Sequence, residues 1–98
     1  MKLYYATFAN QEEAEHAGET LIKEKLIKCM NILGSGTSLY TWQESIEKST
    51  EVYAILKSSL PLSAIESRFS ELHSYDTPCL IEFDVNSVSH AFNQWIES

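Results

Sequence analysis

The feature that most constrains this chain is a pair of long extended segments with almost nothing between them. The run CMNILGSGTSLYTW, Cys29 to Trp42, has no helical stripe and carries Gly34 and Gly36. It reads as one long strand with a glycine bend or bulge in its middle. Gln43, Glu44 and Ser45 read as a turn, and Glu47 to Ser59, which contains TEVYAILKSS, as a second long strand. Two such runs with a short connection form a hairpin. Strands of about a dozen residues are long for one small sheet, and exposed strand edges invite pairing with another chain. Tyr40 and Trp42 are two apart, so in an extended chain both rings share one face. Core filler, a ligand shelf and the seam of a larger assembly all fit that placement.

The remaining elements fall around this hairpin. Lys2 to Phe8 is aromatic and β-forming and reads as a strand. Asn10 caps a helix, with Glu13 in position for a capping box. Ala14, Ala17, Gly18 and Leu21 make one helical face, extended by Ile22 and Leu26; the small residues place this helix close against its support. Ser58 or Ser59 is placed to cap a second helix with Pro61 in its first turn. Leu62, Ile65, Phe69 and Leu72 form its seam. Pro78 disfavours helix before it. In LIEFDVN, Ile81, Phe83 and Val85 alternate with Glu82, Asp84 and Asn86, the pattern of a half-buried strand. Ala91, Gln94 and Trp95, with Phe92 and Ile96 nearby, mark a short closing helix. The order β-α-β-β-α-β plus a tail helix predicts an α+β, ferredoxin-like domain over residues 1–98.

Composition narrows the function. Seven basic against fourteen acidic residues give a net charge of −7, which argues against a phosphate-backbone binder. An RNA-recognition domain shares the topology but needs a basic frame. An acylphosphatase-like enzyme needs an arginine in a phosphate loop, and the only arginine, Arg68, lies within the second helix. There is no glycine-rich phosphate loop, HExxH or CxxC, and no catalytic constellation. No signal pattern or membrane-length apolar run is present. With only Cys29 and Cys79, the cytoplasm is the expected location.

Four ordered blocks then carry a resemblance: KCMNI (Lys28–Ile32), TSLYTW (Thr37–Trp42), EVYAILKSS (Glu51–Ser59) and HSYDTP (His73–Pro78), with ATFANQEEAE and FNQWI at either end. Over essentially its whole length the chain resembles the CutA divalent-cation tolerance proteins. The resemblance implies a ferredoxin-like subunit in a tight homotrimer whose long hairpins pair across subunit boundaries. It implies an association with tolerance to copper and other divalent cations, and an architecture similar to the trimeric nitrogen-regulatory proteins. The sequence departs from the family pattern at three places: Glu44 stands where glycine is usual, Ser74 where proline is usual, and Cys79 where glutamate is usual. A copper site proposed for some members uses a first-strand cysteine and two successive histidines; the matching positions are Ala6, Leu72 and His73, so only His73 survives.

The individual residues allow two readings each. His73 is an imidazole ligand for copper or zinc or a histidine at a helix end. Cys29 is a soft ligand or a small buried hydrophobe. Lys57 is an anion contact or a snorkelling lysine. His16 and His90 read as solvent-exposed. Glu44, Glu47 and Glu51 read as a weak cation site or a solvated turn. Tyr40, Trp42, Lys57 and Tyr75 are the cleft or interface candidates. The expected function is that of a non-enzymatic homotrimer binding divalent cations at intersubunit clefts, with no nucleic-acid or membrane partner. The alternative is a small-molecule-sensing regulator.

Overall fold

A computed structural model describes residues 1–98. Strand β1 (Lys2–Phe8) is followed by helix α1 (Gln11–Lys23), strands β2 (Cys29–Trp42) and β3 (Ser45–Ser58), helix α2 (Leu62–Leu72), strand β4 (Leu80–Asp84) and helix α3 (His90–Glu97). The sheet order is β2-β3-β1-β4, antiparallel throughout. This is the ferredoxin-like arrangement that the element order predicts.

One face of the sheet carries the core. Tyr4, Ala6 and Phe8 of β1 and Val52, Ala54 and Leu56 of β3 are buried with Ala14, Ala17 and Leu21 of α1 and Ile65 and Phe69 of α2. Alternation along β1 and β3 sends their other side chains to the opposite face, which α1 and α2 leave open and α3 touches only through Phe92, beneath the Lys57 ammonium.

Helices α1 and α2 begin close to where the sequence places them, but their capping partners differ from those expected. Asn10 Oδ1 accepts the Glu13 N–H at 2.8 Å, but the Glu13 carboxylate does not close the capping box; it is drawn to Ser74 instead. Neither Ser58 nor Ser59 caps α2. Ser58 Oγ donates to the Leu26 carbonyl (2.7 Å) and accepts the Leu60 N–H (3.0 Å). Pro61 occupies the N-cap position and has no side-chain donor or acceptor to offer. Glu82 of β4 takes over: its Oε1 accepts the Leu62 N–H at 2.8 Å and the Tyr4 hydroxyl at 3.3 Å. The carboxylate thus meets the positive end of the helix dipole.

Helix α1 ends before Leu26, not through it. The Lys25 N–H donates to the Ile22 carbonyl and the Leu26 N–H to the Leu21 carbonyl, the Schellman pattern. It requires a left-handed residue, and Lys25 supplies it at φ 63°. Arg68 of α2 ties this end down with two bonds to Glu24, 2.9 and 2.8 Å. This pair draws the Glu24 carboxyl below its usual range.

The alternation in β4 is as expected, but its orientation is reversed. Ile81 and Phe83, expected on the core side, pair with Tyr5 and Leu3 and remain 46% and 47% exposed on the uncovered face. The core side takes Leu80 and Glu82, because Glu82 is needed at the start of α2. In α3 the buried residue is Ile96, while Ala91, Gln94 and Trp95 are exposed.

The hairpin is longer than its support. Hairpin residues on the turn side of Val52, the partner of Phe8, have no third strand beside them. A bulge between Ile32 and Gly34, with Gly34 at φ 114°, shifts the register once. The turn holds two residues, Gln43 (φ 49°) and Glu44 (φ 68°). Both lie in the left-handed region, as a type I′ turn demands, and neither is the Asn or Gly that the turn prefers. Ser45 already belongs to β3. Glu44→Gly is expected to raise stability by about 1 kcal/mol, since the left-handed conformation costs a non-glycine residue roughly that much. Chemical denaturation checks this through an upward shift of the midpoint.

Candidate functional site

The uncovered face carries a tyrosine cluster around one carboxylate. Tyr40 and Trp42 pair with Glu47 and Ser45, so they share this face with Glu51 and Tyr53. They are 45% and 61% exposed. Tyr53 stacks on Tyr5 across the β1–β3 pair, centroids 6.5 Å apart. Its ring also covers Gly36, where an added Cβ would come within 2.5 Å of the ring edge, and its hydroxyl lies 3.1 Å from Ser38 Oγ. Glu51 Oε2 accepts the Tyr75 hydroxyl at 3.0 Å.

These contacts shift the ionisable groups in one direction. Burial, and then the Glu51 carboxylate that accepts its hydroxyl, push Tyr75 up to about 12. Tyr5 moves up through burial and its neighbours Cys79, Tyr53 and Glu51. Burial, and secondarily Glu51, push the Cys79 thiol up. A glutamate at 79 would set a second negative charge near Glu51; the cysteine removes that repulsion.

His73 holds the cluster from beneath. The residue ends α2 in an extended conformation, and its side chain turns into the core. It stacks on Phe8 (5.1 Å, 16° between planes) and tilts against Phe69 and Tyr75. Nε2 lies 2.7 Å from the Thr7 carbonyl, and Nδ1 accepts the Tyr75 N–H at 3.1 Å. A carbonyl only accepts, so the proton is assigned to Nε2. Glu13 Oε1 lies 3.2 Å from Nδ1 and accepts the Ser74 N–H at 2.8 Å, while Oε2 accepts the Ser74 hydroxyl at 2.9 Å. The proline usual at position 74 has no N–H to donate; Ser74 supplies two donors in its place. Both ring nitrogens of His73 are therefore engaged within the chain, and a metal reaching Nδ1 would have to displace the Tyr75 N–H.

The other sequence candidates lie elsewhere. Cys29 pairs with Lys57, and Lys57 with Leu3, at the end of the sheet away from Thr7 and His73. Four residues of strand separate the two levels, about 13 Å, so Cys29 and His73 do not share a site within one subunit. Lys57 Nζ donates to Asn31 Oδ1 at 2.6 Å and lies 5.5 Å over the Phe92 ring. The two cysteines are free. No group of three or more His, Cys, Asp or Glu side chains is placed to hold a metal ion. His16, His90, Glu44 and Glu47 are exposed. Glu51 parts from Glu44 and Glu47, with which the sequence groups it, and joins Tyr5, Tyr53 and Ser38, which the sequence does not mark. Their period-two spacing on the paired strands was the available signal.

The fold and this face define a class: a small ferredoxin-like α+β domain with an overlong hairpin and an open aromatic sheet face. The family model described as CutA1 divalent ion tolerance protein matches residues 2–98. The divalent-cation tolerance protein CutA of Pyrococcus horikoshii is 40% identical over 97 residues, 98% of this chain and 94% of that protein. The corresponding protein of Archaeoglobus fulgidus is 32% identical over 94 residues, 95% and 91% of the two chains. The crystal structure of CutA1 from P. horikoshii superposes with a TM-score of 0.92 at 38% identity, covering 99% of this chain and 95% of that one. A structure described as the periplasmic divalent cation tolerance protein CutA from A. fulgidus gives 0.93 at 31% identity, covering 99% and 96%. The chain belongs to the CutA1 divalent ion tolerance family. No helix is long and apolar enough to cross a membrane.

Tyr75 gives this site a pH signature. Its folded value of about 12 lies above the ordinary 10.0, so its contribution to stability is complete below pH 10 and is lost as pH rises toward 12. In Tyr75→Phe, denaturation midpoints measured across that interval should fall less steeply than in the wild type.

Proposed function

We propose that the protein acts without catalysis, as a homotrimer that takes up divalent cations, copper among them, where the open sheet face of one subunit meets its neighbours. The observation that carries this reading is Glu51. Its carboxylate stands half-buried among Tyr5, Tyr40, Tyr53 and Tyr75 on the face that α1 and α2 leave open. One oxygen takes the Tyr75 hydroxyl, and the other is directed to no partner within the subunit. Carboxylate oxygens are ligands for divalent metals. A single subunit assembles no three-ligand group, so a closed site needs donors from adjoining copies. His73 acts in this reading by positioning Tyr75.

Assembly is supported by what the subunit leaves bare. Leu39, Tyr40, Trp42, Ile46, Ile81 and Phe83 are all large, apolar and exposed, and the outer edges of β2 and β4 have no partner. A closed ring of copies covers both. The free Cys29 and Cys79 favour a reducing, cytoplasmic location, which fractionation against cytoplasmic markers checks.

Copper titrated calorimetrically into the native protein should bind saturably, and Glu51→Gln should weaken that binding by at least about tenfold, the scale on which a lost supporting contact is felt. Absent binding, or an isotherm that the substitution leaves unchanged, removes Glu51 from the site. Sedimentation should show a trimer that Phe83→Asp dissociates. A monomeric wild type would sink the assembly on which the reading rests.

A further inference from the structure

A second candidate site lies at the other end of the sheet. Where α1 ends, β2 begins and α3 closes over the residues after β3, there is a cleft of about 520 Å³. That is within the size range of small-molecule sites. Ile27 and Ile96 form part of its apolar lining and are buried. Trp95 lines it and is 47% exposed. Lys25, Lys28 and the hydroxyl residue Ser59 supply the polar part.

The charge here runs against that of the chain. The net charge is −7, yet Lys23, Lys25 and Lys28 fall within six residues. The acid between them, Glu24, is committed to Arg68 through two hydrogen bonds. Glu97 lies 3.5 Å from the amino group of Met1. Neither of these two carboxylates therefore pairs with Lys25 or Lys28; the oxygens that Lys28 does meet belong to Ser98, the last residue of the sequence. Lys28 Nζ lies 5.2 Å over the Trp95 ring and donates to Ser98 Oγ and the Ser98 main-chain oxygen at 3.1 and 3.3 Å, so it already meets oxygen acceptors beside an aromatic wall.

Lys25 adds a separate observation. It sits at the left-handed position of the Schellman turn, which glycine fills most cheaply. Backbone strain of this kind concentrates at functional sites. Here it places an ammonium at the cleft in place of a residue with no side chain.

We infer that this cleft binds a small organic anion with a flat ring, the ring against Trp95 and its carboxylate or phosphate between Lys25 and Lys28. The site stands apart from the Glu51 cluster and does not depend on metal uptake.

Phenyl phosphate and benzoate are the probes, titrated calorimetrically into the native full-length protein without added metal. Saturable binding is expected, weakened by added salt, as an ion contact requires. Inorganic phosphate and benzyl alcohol, which each lack half of the recognition, should bind more weakly than either probe. The stronger of the two probes identifies the head group. Lys28→Gln should weaken binding at least about fivefold, as loss of an exposed charged contact does. Lys25→Gly should weaken it similarly while raising the denaturation midpoint, because it removes the ammonium and the backbone strain together. Its loss of binding cannot then be ascribed to unfolding. No saturable binding of either probe, or unchanged affinity in both variants, overturns the inference.

Discussion

The structure depends on a mismatch of strand lengths. β2 and β3 have 14 residues each, β1 has 7 and β4 has 5. Gly36–Trp42 and Ser45–Glu51 therefore pair only with each other. A two-stranded ribbon alone in water is marginal, and its outer edges offer unpaired N–H and C=O groups. The molecule is accordingly elongated, 46 × 26 × 24 Å. Within the chain the ribbon is steadied by Tyr53, which lies over Gly36 and reaches Ser38. Its exposed apolar side chains lie on both faces, Tyr40 and Trp42 on the side of Glu51 and Leu39 and Ile46 on the other, and this is the physical reason for reading the ribbon as an interface.

A second constraint links the helix layer to that face. Glu13 on α1 holds Ser74, His73 accepts the Tyr75 N–H, and the Tyr75 hydroxyl reaches Glu51 on β3. Residues 73–79 contain no helix or strand, so these side-chain bonds do the work that regular structure does elsewhere. His73 is fully enclosed and has both nitrogens paired, and no buried side-chain donor or acceptor is left without a partner. A satisfied buried polar network of this kind specifies one arrangement, because any slip would leave a polar group unpaired in a poorly solvated place.

The elements and their order were legible because each rests on a local signal. The cap at Asn10, the small face at Ala14, Ala17 and Gly18, the seam from Leu62 to Leu72 and the glycine break in β2 are all found where the pattern put them. Partners distant in sequence were not legible. Glu13 has the spacing of a capping box, but Ser74, 61 residues away, takes its carboxylate. Ser58 looks like a cap for α2, and Glu82 serves instead. The alternation in β4 identified a strand without saying which face is inside. Alternating hydrophobicity marks an apolar side of a strand without saying which side meets the core, and here Ile81 and Phe83 face away from it. The candidate site was legible at Tyr40 and Tyr75, through the blocks that contain them. Glu51 emerged as its centre only once the register placed it beside the tyrosines.

The placement of charge separates the two ends of the sheet. Lys2 is held by Asp84 and Glu82, Arg68 by Glu24, and Lys57 bonds to Asn31. Lys25 and Lys28 line the cleft at one end, while Glu51 and its tyrosines occupy the other. Glu51 and Ser58 lie on the same strand, seven residues apart, so the two regions are about 23 Å from each other. That exceeds the screening length of about 8 Å at physiological ionic strength, so the charge at one end does little to what binds at the other. Strand β3 nevertheless joins them as one continuous, paired element, with Val52, Ala54 and Leu56 locked in the core between them. Any influence of one end on the other would have to pass through a shift of that strand or of its register. The bulge at Gly34, opposite Tyr53, is the point along β3 where its pairing with β2 is already irregular.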